Sequence, residues 1–339
     1  MSDVNALLSK FSRLSLNSNS TPVQQLPRLS EKLGIDLWIK RDDLTDISLG
    51  GNKVRQLEFY FGEAIAKGSD TVLITGAVQS NYVRTAGTVA SMLGMKAVLQ
   101  LEERVKGKGR SYHSSGNILL GGLLGVENMS YPEGEDEAGA DASLHERAAQ
   151  LVKEGLKPYV IHLGLNHPPL GALGYVRGAA ELIKQLPDFD VAVVPSGSGA
   201  THGGFLTGLR LAKSKARVFG ACVRRDAEQQ THRIDTLTHK VAGLLGIGRP
   251  FDTTDIEISD EALAPGYGQM GQTTREAVEL MVRTEGILLD PVYSGKTFAT
   301  LLLLLGQGEI SRGQKVVLLH TGGQSALFAY QDELTRSSA

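Results

Sequence analysis

Cysteine is all but missing from this chain. Cys222 is the only one, which excludes an intramolecular disulfide and fits a reducing cytosol. It lies in the strand-like run 217–223 and reads as a core residue. Long apolar runs are missing too: the longest, residues 301–305, is far shorter than the roughly 20 residues that cross a bilayer and reads as part of a buried helix. Neither sign of charge dominates, since 35 Lys and Arg face 37 Asp and Glu for a net charge of −2. That balance leaves no electrostatic footprint for nucleic acid or for an anionic membrane surface, so a small-molecule partner is favoured. Met1 to Asn5 contain no basic segment leading into an apolar stretch, so no secretory leader is expected and the cytoplasm is the expected compartment. No solenoid repeat and no Pro- or Ser-rich linker is visible. A length of 339 residues exceeds what one core usually organises, so two domains are expected, with the second inserted into the first.

What is present alternates between strand and helix signals, the pattern of parallel sheets with crossover helices. Strands are expected at 37–40, 71–75, 97–101, 159–162, 191–194, 217–223 and 315–319. Helices are expected at 52–66, closed by Gly68, at 80–93, ended by Gly94, at 115–123 and 142–154, from Pro168 to 186, and at 201–212 and 228–245. Such sheets bind ligands at the carboxyl ends of their strands, where helix N-termini gather.

Two segments carry chemistry. In Gly50-Gly51-Asn52-Lys53 a glycine pair delivers a lysine to the first turn of an amphipathic helix. There the positive helix end and partial burial both disfavour the ammonium. A free lysine has a pKa of about 10.4 and catalytic lysines work nearer 7 to 8, so such a site supplies roughly 3 to 4 kcal/mol against the charged form. A neutral amine can form an imine; a solvated lysine after a turn is the plain alternative. The loop Pro195-Ser196-Gly197-Ser198-Gly199-Ala200-Thr201 joins a strand to a helix. Its small residues let backbone N–H groups approach an anion, with hydroxyls of Ser196, Ser198 and Thr201 as further donors. Two rival phosphate motifs fail. His202 stands where a dinucleotide fingerprint needs its third glycine, and Asp290 stands where the Walker-like Ser294-Gly295-Lys296-Thr297 needs its leading one. No metal site is expected.

Taken with Gln79-Ser80-Asn81, Ala264-Pro265-Gly266-Tyr267-Gly268, Leu289-Asp290-Pro291-Val292-Tyr293 and His320-Thr321-Gly322-Gly323, these segments make a chain that resembles the pyridoxal-phosphate enzymes of the tryptophan-synthase-β fold type. Within them it is similar to the family of D-cysteine desulfhydrase and 1-aminocyclopropane-1-carboxylate deaminase. The resemblance spans nearly the whole chain. It implies an α/β fold (pyridoxal-phosphate fold type II) of two open, mainly parallel sheets with helices on both faces. Residues 1–55 and 166–339 would form the large cofactor-binding domain and 56–165 an inserted small domain that closes over substrate. It implies pyridoxal 5'-phosphate as cofactor, a small amino-acid substrate and a homodimer.

By the same resemblance Lys53 holds the cofactor covalently and moves protons, and Asn81 bonds its phenolic oxygen. Gly197, Ser198, Gly199, Ala200 and Thr201 hold its phosphate, and Thr321 meets the pyridine nitrogen. Tyr293 lies against the ring, Tyr267 reaches the substrate, and Ser80 meets the substrate carboxylate while capping its helix. Deaminases of the family carry a glutamate after the motif tyrosine and a leucine before the final glycine pair; Ser294 and Thr321 stand here instead. The expected reaction is therefore α,β-elimination from a sulfur amino acid, D-cysteine first. Tyr82 replaces a usual histidine, and His167 stands where small residues are usual, so both are substrate-binding candidates. They keep L-cysteate sulfo-lyase activity open as the main alternative, followed by the deaminase. A non-catalytic binding protein and a dehydrogenase are the outside readings. The basic stretch from Arg104 to Arg110 is expected to be a solvated loop.

Overall fold

The computed structural model describes residues 2–335; Met1 and residues 336–339, the two ends of the expected large domain, lie outside the described residues. In chain order, α1 (Ser2–Leu8), β1 (Val23–Gln25), α2 (Pro27–Leu33) and β2 (Asp36–Arg41) lead to α3 (Asn52–Ala66), which has the bounds the sequence predicts. Then come β3 (Thr71–Ala77), α4 (Asn81–Met92), β4 (Lys96–Glu102), α5 (Arg110–Ser114), α6 (Asn117–Leu123), β5 (Glu127–Tyr131), α7 (Glu137–Lys153) and β6 (Pro158–Ile161). The chain continues through α8 (Leu170–Gln185), β7 (Val191–Ser196), α9 (Ala200–Leu211), β8 (Arg217–Cys222), α10 (Ala227–Leu245), β9 (Glu257–Ser259), α11 (Gln272–Glu285), α12 (Ser294–Gly306) and β10 (Lys315–His320).

Two sheets result, as expected. One has the order β1-β2-β10-β7-β8-β9 and is parallel except for the edge strand β1; the other, β5-β4-β3-β6, is parallel throughout. Strand parity explains why both faces of the larger sheet are covered. Val191, Val193, Val316 and Leu318 pack with Ala277 and Met281 of α11 and Phe298 and Leu301 of α12. The alternate residues Ala192, Val194, Val317 and Leu319 pack with Tyr175 and Leu182 of α8 and Phe205 and Leu209 of α9. The smaller sheet divides likewise. Val72, Ile74 and Leu99 meet Val54, Leu57 and Phe61 of α3 and Val83 and Val89 of α4, while Leu73 and Val98 meet Leu144, Ala148 and Leu151 of α7. Each fully buried Leu or Phe contributes about 1.5 to 3 kcal/mol, so these four layers fix the strand ends in space.

Several expectations need correction. The helix expected at 115–123 begins only at Asn117, because Ser115 is extended and Gly116 takes φ 59°, and a separate short helix, α5, precedes it. Strand β5 was not foreseen: its residues are mostly exposed, so it lacks the apolar run that marks a buried strand. The helix expected from 142 begins at Glu137, since the Asp136 side chain accepts from Gly139 N and caps it there. Cys222 is buried in β8, as expected, and burial pushes its thiol up to about 12. Among the described residues no helix is long and apolar enough to cross a membrane.

Candidate active site

Lys53 is delivered by a tightly constrained turn. Ser48 and Leu49 hold left-handed φ values of 53° and 62°, Gly50 follows at 69° and Gly51 at 114°. A Cβ on Gly50 would lie 1.8 Å from Asp43 O, so only glycine fits. Gly51 N donates to Asp42 O at 2.9 Å and Asn52 N to Thr321 O at 3.0 Å, which ties the start of α3 to the end of β10. Two residues on, Arg55 is clamped by Asp42 and Glu181, with Lys40, Thr21 and Tyr175 completing a buried network. Arg55 holds Asp42 down to about 2 against the opposing effect of burial.

The Lys53 amine faces a cleft of about 870 Å³, open mouth included. It contacts Gln56 Oε1 at 3.4 Å and stands 4.9 Å from the centre of the Tyr82 ring. Burial lowers it to about 8, and among the described residues no carboxylate pairs with it to hold the proton.

Besides the start of α3, two helix starts on this cleft differ from each other. Ser80 Oγ accepts from Val83 N at 3.2 Å and caps α4. The start of α9 has no side-chain cap, and Gly199, at φ 98°, turns the backbone into it. Arg233 Nε donates to Ser198 O at 2.9 Å, while Gln230 Nε2 at 3.0 Å and Arg225 Nη1 at 3.3 Å donate to Gly197 O. The lone pairs of those carbonyls are thus engaged by donors. Thr201 Oγ1 accepts from Asn52 Nδ2 and from Gln56 Nε2, each at 2.9 Å, so its own proton is free to donate. This donor set fits a phosphate. Asn81 Oδ1 is occupied by Asn117 Nδ2 at 2.9 Å, which leaves its amide N–H groups to a ligand. Tyr267 and Tyr293 share a hydrogen bond of 2.9 Å between hydroxyls, and burial, then Tyr267, pushes the Tyr293 phenol well up. Asp290 fixes this corner by accepting from the N–H groups of Val292, Tyr293 and Ser294 at 2.7 to 2.9 Å.

The cleft gathers Lys53, Ser80, Asn81, Tyr82, Gly197, Ser198, Gly199, Thr201, Tyr267, Tyr293 and Thr321. Tyr82 presents its ring there, while its phenol lies beside that of Tyr60 and is pushed well up by burial. Ala200 and His167 do not line this cleft; they line a smaller adjoining cavity with Tyr82 and Ser198. His167 stacks on His162 at 3.4 Å, and burial and the neighbouring imidazoles push His162 down to about 4. Ser196 is no ligand donor: it is fully buried, with its hydroxyl bonded to Gln230 and His202.

Arg104, Glu137, Arg224 and Arg233 also line the cleft, and sequence reasoning missed them. Arg104 is buried against Glu102 rather than solvated. Burial opposes ionisation of Glu137, yet Arg233, Arg225 and Arg224 hold it below the usual carboxylate range. Arg104 and Arg224 each lie just beyond a strand's carboxyl end, the one signal that could have found them.

The chain belongs to the pyridoxal-phosphate dependent enzymes: that family's model matches residues 14–322. Pyridoxal phosphate is its cofactor, and the lysine, the uncapped helix and the amide donor just described fit that group. The chain is 39% identical over 326 residues to the D-cysteine desulfhydrases of Salmonella typhi and Salmonella choleraesuis, covering 95% of this chain and 97% of each relative. A crystal structure of an ACC deaminase homologue superposes with a TM-score of 0.88 at 38% identity, covering 98% of both chains. O-ureido-L-serine synthase, at 18% identity and a TM-score of 0.66 over 94% of this chain and 95% of that one, shares the fold alone.

Proposed function

We propose that this chain is a carbon–sulfur lyase that carries out α,β-elimination on a small sulfur amino acid, D-cysteine above others, yielding pyruvate, ammonia and sulfide. The observation that carries this reading is the Lys53 amine, half-buried in a cleft whose donors suit an anion, with its pKa lowered to about 8 by desolvation. Bound pyridoxal phosphate supplies a ring that takes up the electrons released at the substrate's Cα. Phosphate would be held by Thr201, Gly197, Ser198, Gly199 and the first N–H groups of α9, to which Ala200 belongs. Asn81 would donate to the cofactor's phenolic oxygen, and Thr321 would bond its pyridine nitrogen without charging it. Ser80 and the first turn of α4 would orient the substrate carboxylate, and Tyr82 would pack beside it. Lys53 Nζ would then take the Cα proton, and the Tyr267–Tyr293 pair would deliver a proton to the departing sulfur.

Ser294 supports elimination over ring opening. Its hydroxyl is buried and donates to Asp290 Oδ1 at 2.6 Å, so no carboxylate follows Tyr293 into the cleft. Arg104, Arg224 and Arg233 on the cleft wall favour one second reading, an anionic sulfonate such as L-cysteate. Against it, their charges are engaged by Glu102, Glu135 and Glu137. D-Cysteine, L-cysteate and 1-aminocyclopropane-1-carboxylate assayed side by side for keto acid, sulfide and sulfite decide the matter. Sulfide with pyruvate from D-cysteine is expected; sulfite without sulfide would reverse the ranking.

Residues 56–165 would act as a unit that closes over substrate, with His167 on the connection leaving it. Identical ligand-free and ligand-bound conformations would count against that motion. A cytoplasmic homodimer completes the reading, checked by sedimentation at micromolar concentration.

A further inference from the structure

Away from the cleft floor, three histidines converge from three separate elements, and nothing in the proposed reaction uses them together. His145 projects from α7, His162 follows β6, and His167 lies in the connection to α8. One ligand atom from each lies within 4.8 Å of the other two, and His145 Nε2 and His162 Nε2 are 2.9 Å apart. Asp141, one turn before His145 on the same helix, places Oδ2 3.7 Å from His167 Nε2. Among the described residues no other group of His, Cys, Asp or Glu reaches this spacing.

We propose that His145, His162 and His167 form a binding site for a divalent transition-metal ion of the zinc class, with Asp141 or water completing its shell. Nitrogen donors stand about 2.0 to 2.1 Å from zinc, so tetrahedral ligands lie roughly 3.3 Å from one another. The His145–His162 pair is already near that separation, and rotation of the His167 ring out of its stack on His162 would bring in the third donor. Imidazole suits zinc, nickel and copper, and a nearby carboxylate is the usual companion of such ligands. The ion would tie α7 and the end of β6 to the segment leading into α8. That segment lines the smaller cavity beside Ser198 and Ala200, so occupancy would steady the support of the phosphate loop rather than take part in the reaction.

The test is calorimetric titration of the cofactor-loaded full chain, stripped with a chelator, with Zn²⁺ alone. One ion per chain and a raised unfolding temperature are expected. His145→Ala, which removes an exposed ring, and His167→Gln should each weaken binding roughly tenfold or more while leaving the cofactor's visible band intact. Lys53→Ala should leave the Zn²⁺ titration unchanged, which separates this site from the catalytic reading. No saturable binding, or equal binding by wild type and both histidine variants, would mean an adventitious ion only and overturn the site.

Discussion

Helices α4 and α9 both open onto the cleft, yet their first turns are finished in different ways. At α4 the chain supplies its own cap, Ser80; at α9 it supplies none and sets Gly199 at φ 98° instead. Every helix start leaves N–H groups without partners, so the difference lies in who satisfies them. An end completed by its own side chain is stable empty and suits a ligand that comes and goes, such as a substrate carboxylate. An end left bare is completed by a ligand that stays, such as a cofactor phosphate. Lys53 stands on the same cleft, where one amine can serve both.

The largest expected effect comes from removing that amine. Lys53→Ala should abolish the visible absorption of the loaded enzyme and lower the rate by at least about 10² to 10⁴, read by spectroscopy and a pyruvate assay. The cofactor-free protein should gain stability from the loss. The folded Lys53 has a pKa near 8 against 10.5 for an ordinary lysine, so between these values the unfolded chain binds more protons and stability rises with pH. The destabilisation is full below pH 8 and gone above 10.5. Lys53→Met should therefore stabilise the apoprotein by about 1 to 3 kcal/mol at pH 7 and by little at pH 10.5, measured by urea unfolding. The lower end applies to the extent that water enters the cleft. A pH-independent gain would mean that the amine is not desolvated.

Next come changes at the bare helix. Thr201→Val strands the donors of Asn52 and Gln56 and removes a hydroxyl from the phosphate, so cofactor affinity should fall about 10- to 100-fold, with Thr201→Ser restoring most of it. Gly199→Ala puts a Cβ on a left-handed residue, 3.1 Å from Ile234 Cδ1, and should cost about tenfold. Equilibrium dialysis reads both. Unchanged affinities would dissolve the contrast between the two helices.

Much of this was legible without coordinates because its causes are local. A glycine pair before Lys53, small residues before Thr201 and a serine before Asn81 each specify a helix start, and the alternation of strands and helices places those starts on one side of a sheet. The arginines were hidden for two reasons: Arg233 reaches the Ser198 carbonyl across a span of 35 residues, and Arg104 is drawn inward by Glu102, a near neighbour whose burial the sequence does not display. Strand β5 escaped because it is an exposed edge. Ser196 misled because strand parity, invisible in a list of small residues, turns it into the core.

The smallest effect is the most discriminating, because at Ser80 two roles can be pulled apart. Asp caps a helix as well as Ser does, whereas Ala does not. Ser80→Ala should cost about 1 kcal/mol of stability, and Ser80→Asp should stay within a few tenths of wild type. If the first turn of α4 receives the substrate carboxylate, the aspartate sets a like charge beside it, and KM should rise about tenfold in the variant that folds as well as the parent. Should KM move only in Ser80→Ala, following stability, then Ser80 serves the helix alone and the carboxylate is met elsewhere on the cleft wall, with Arg104 and Arg224 among the cations to examine.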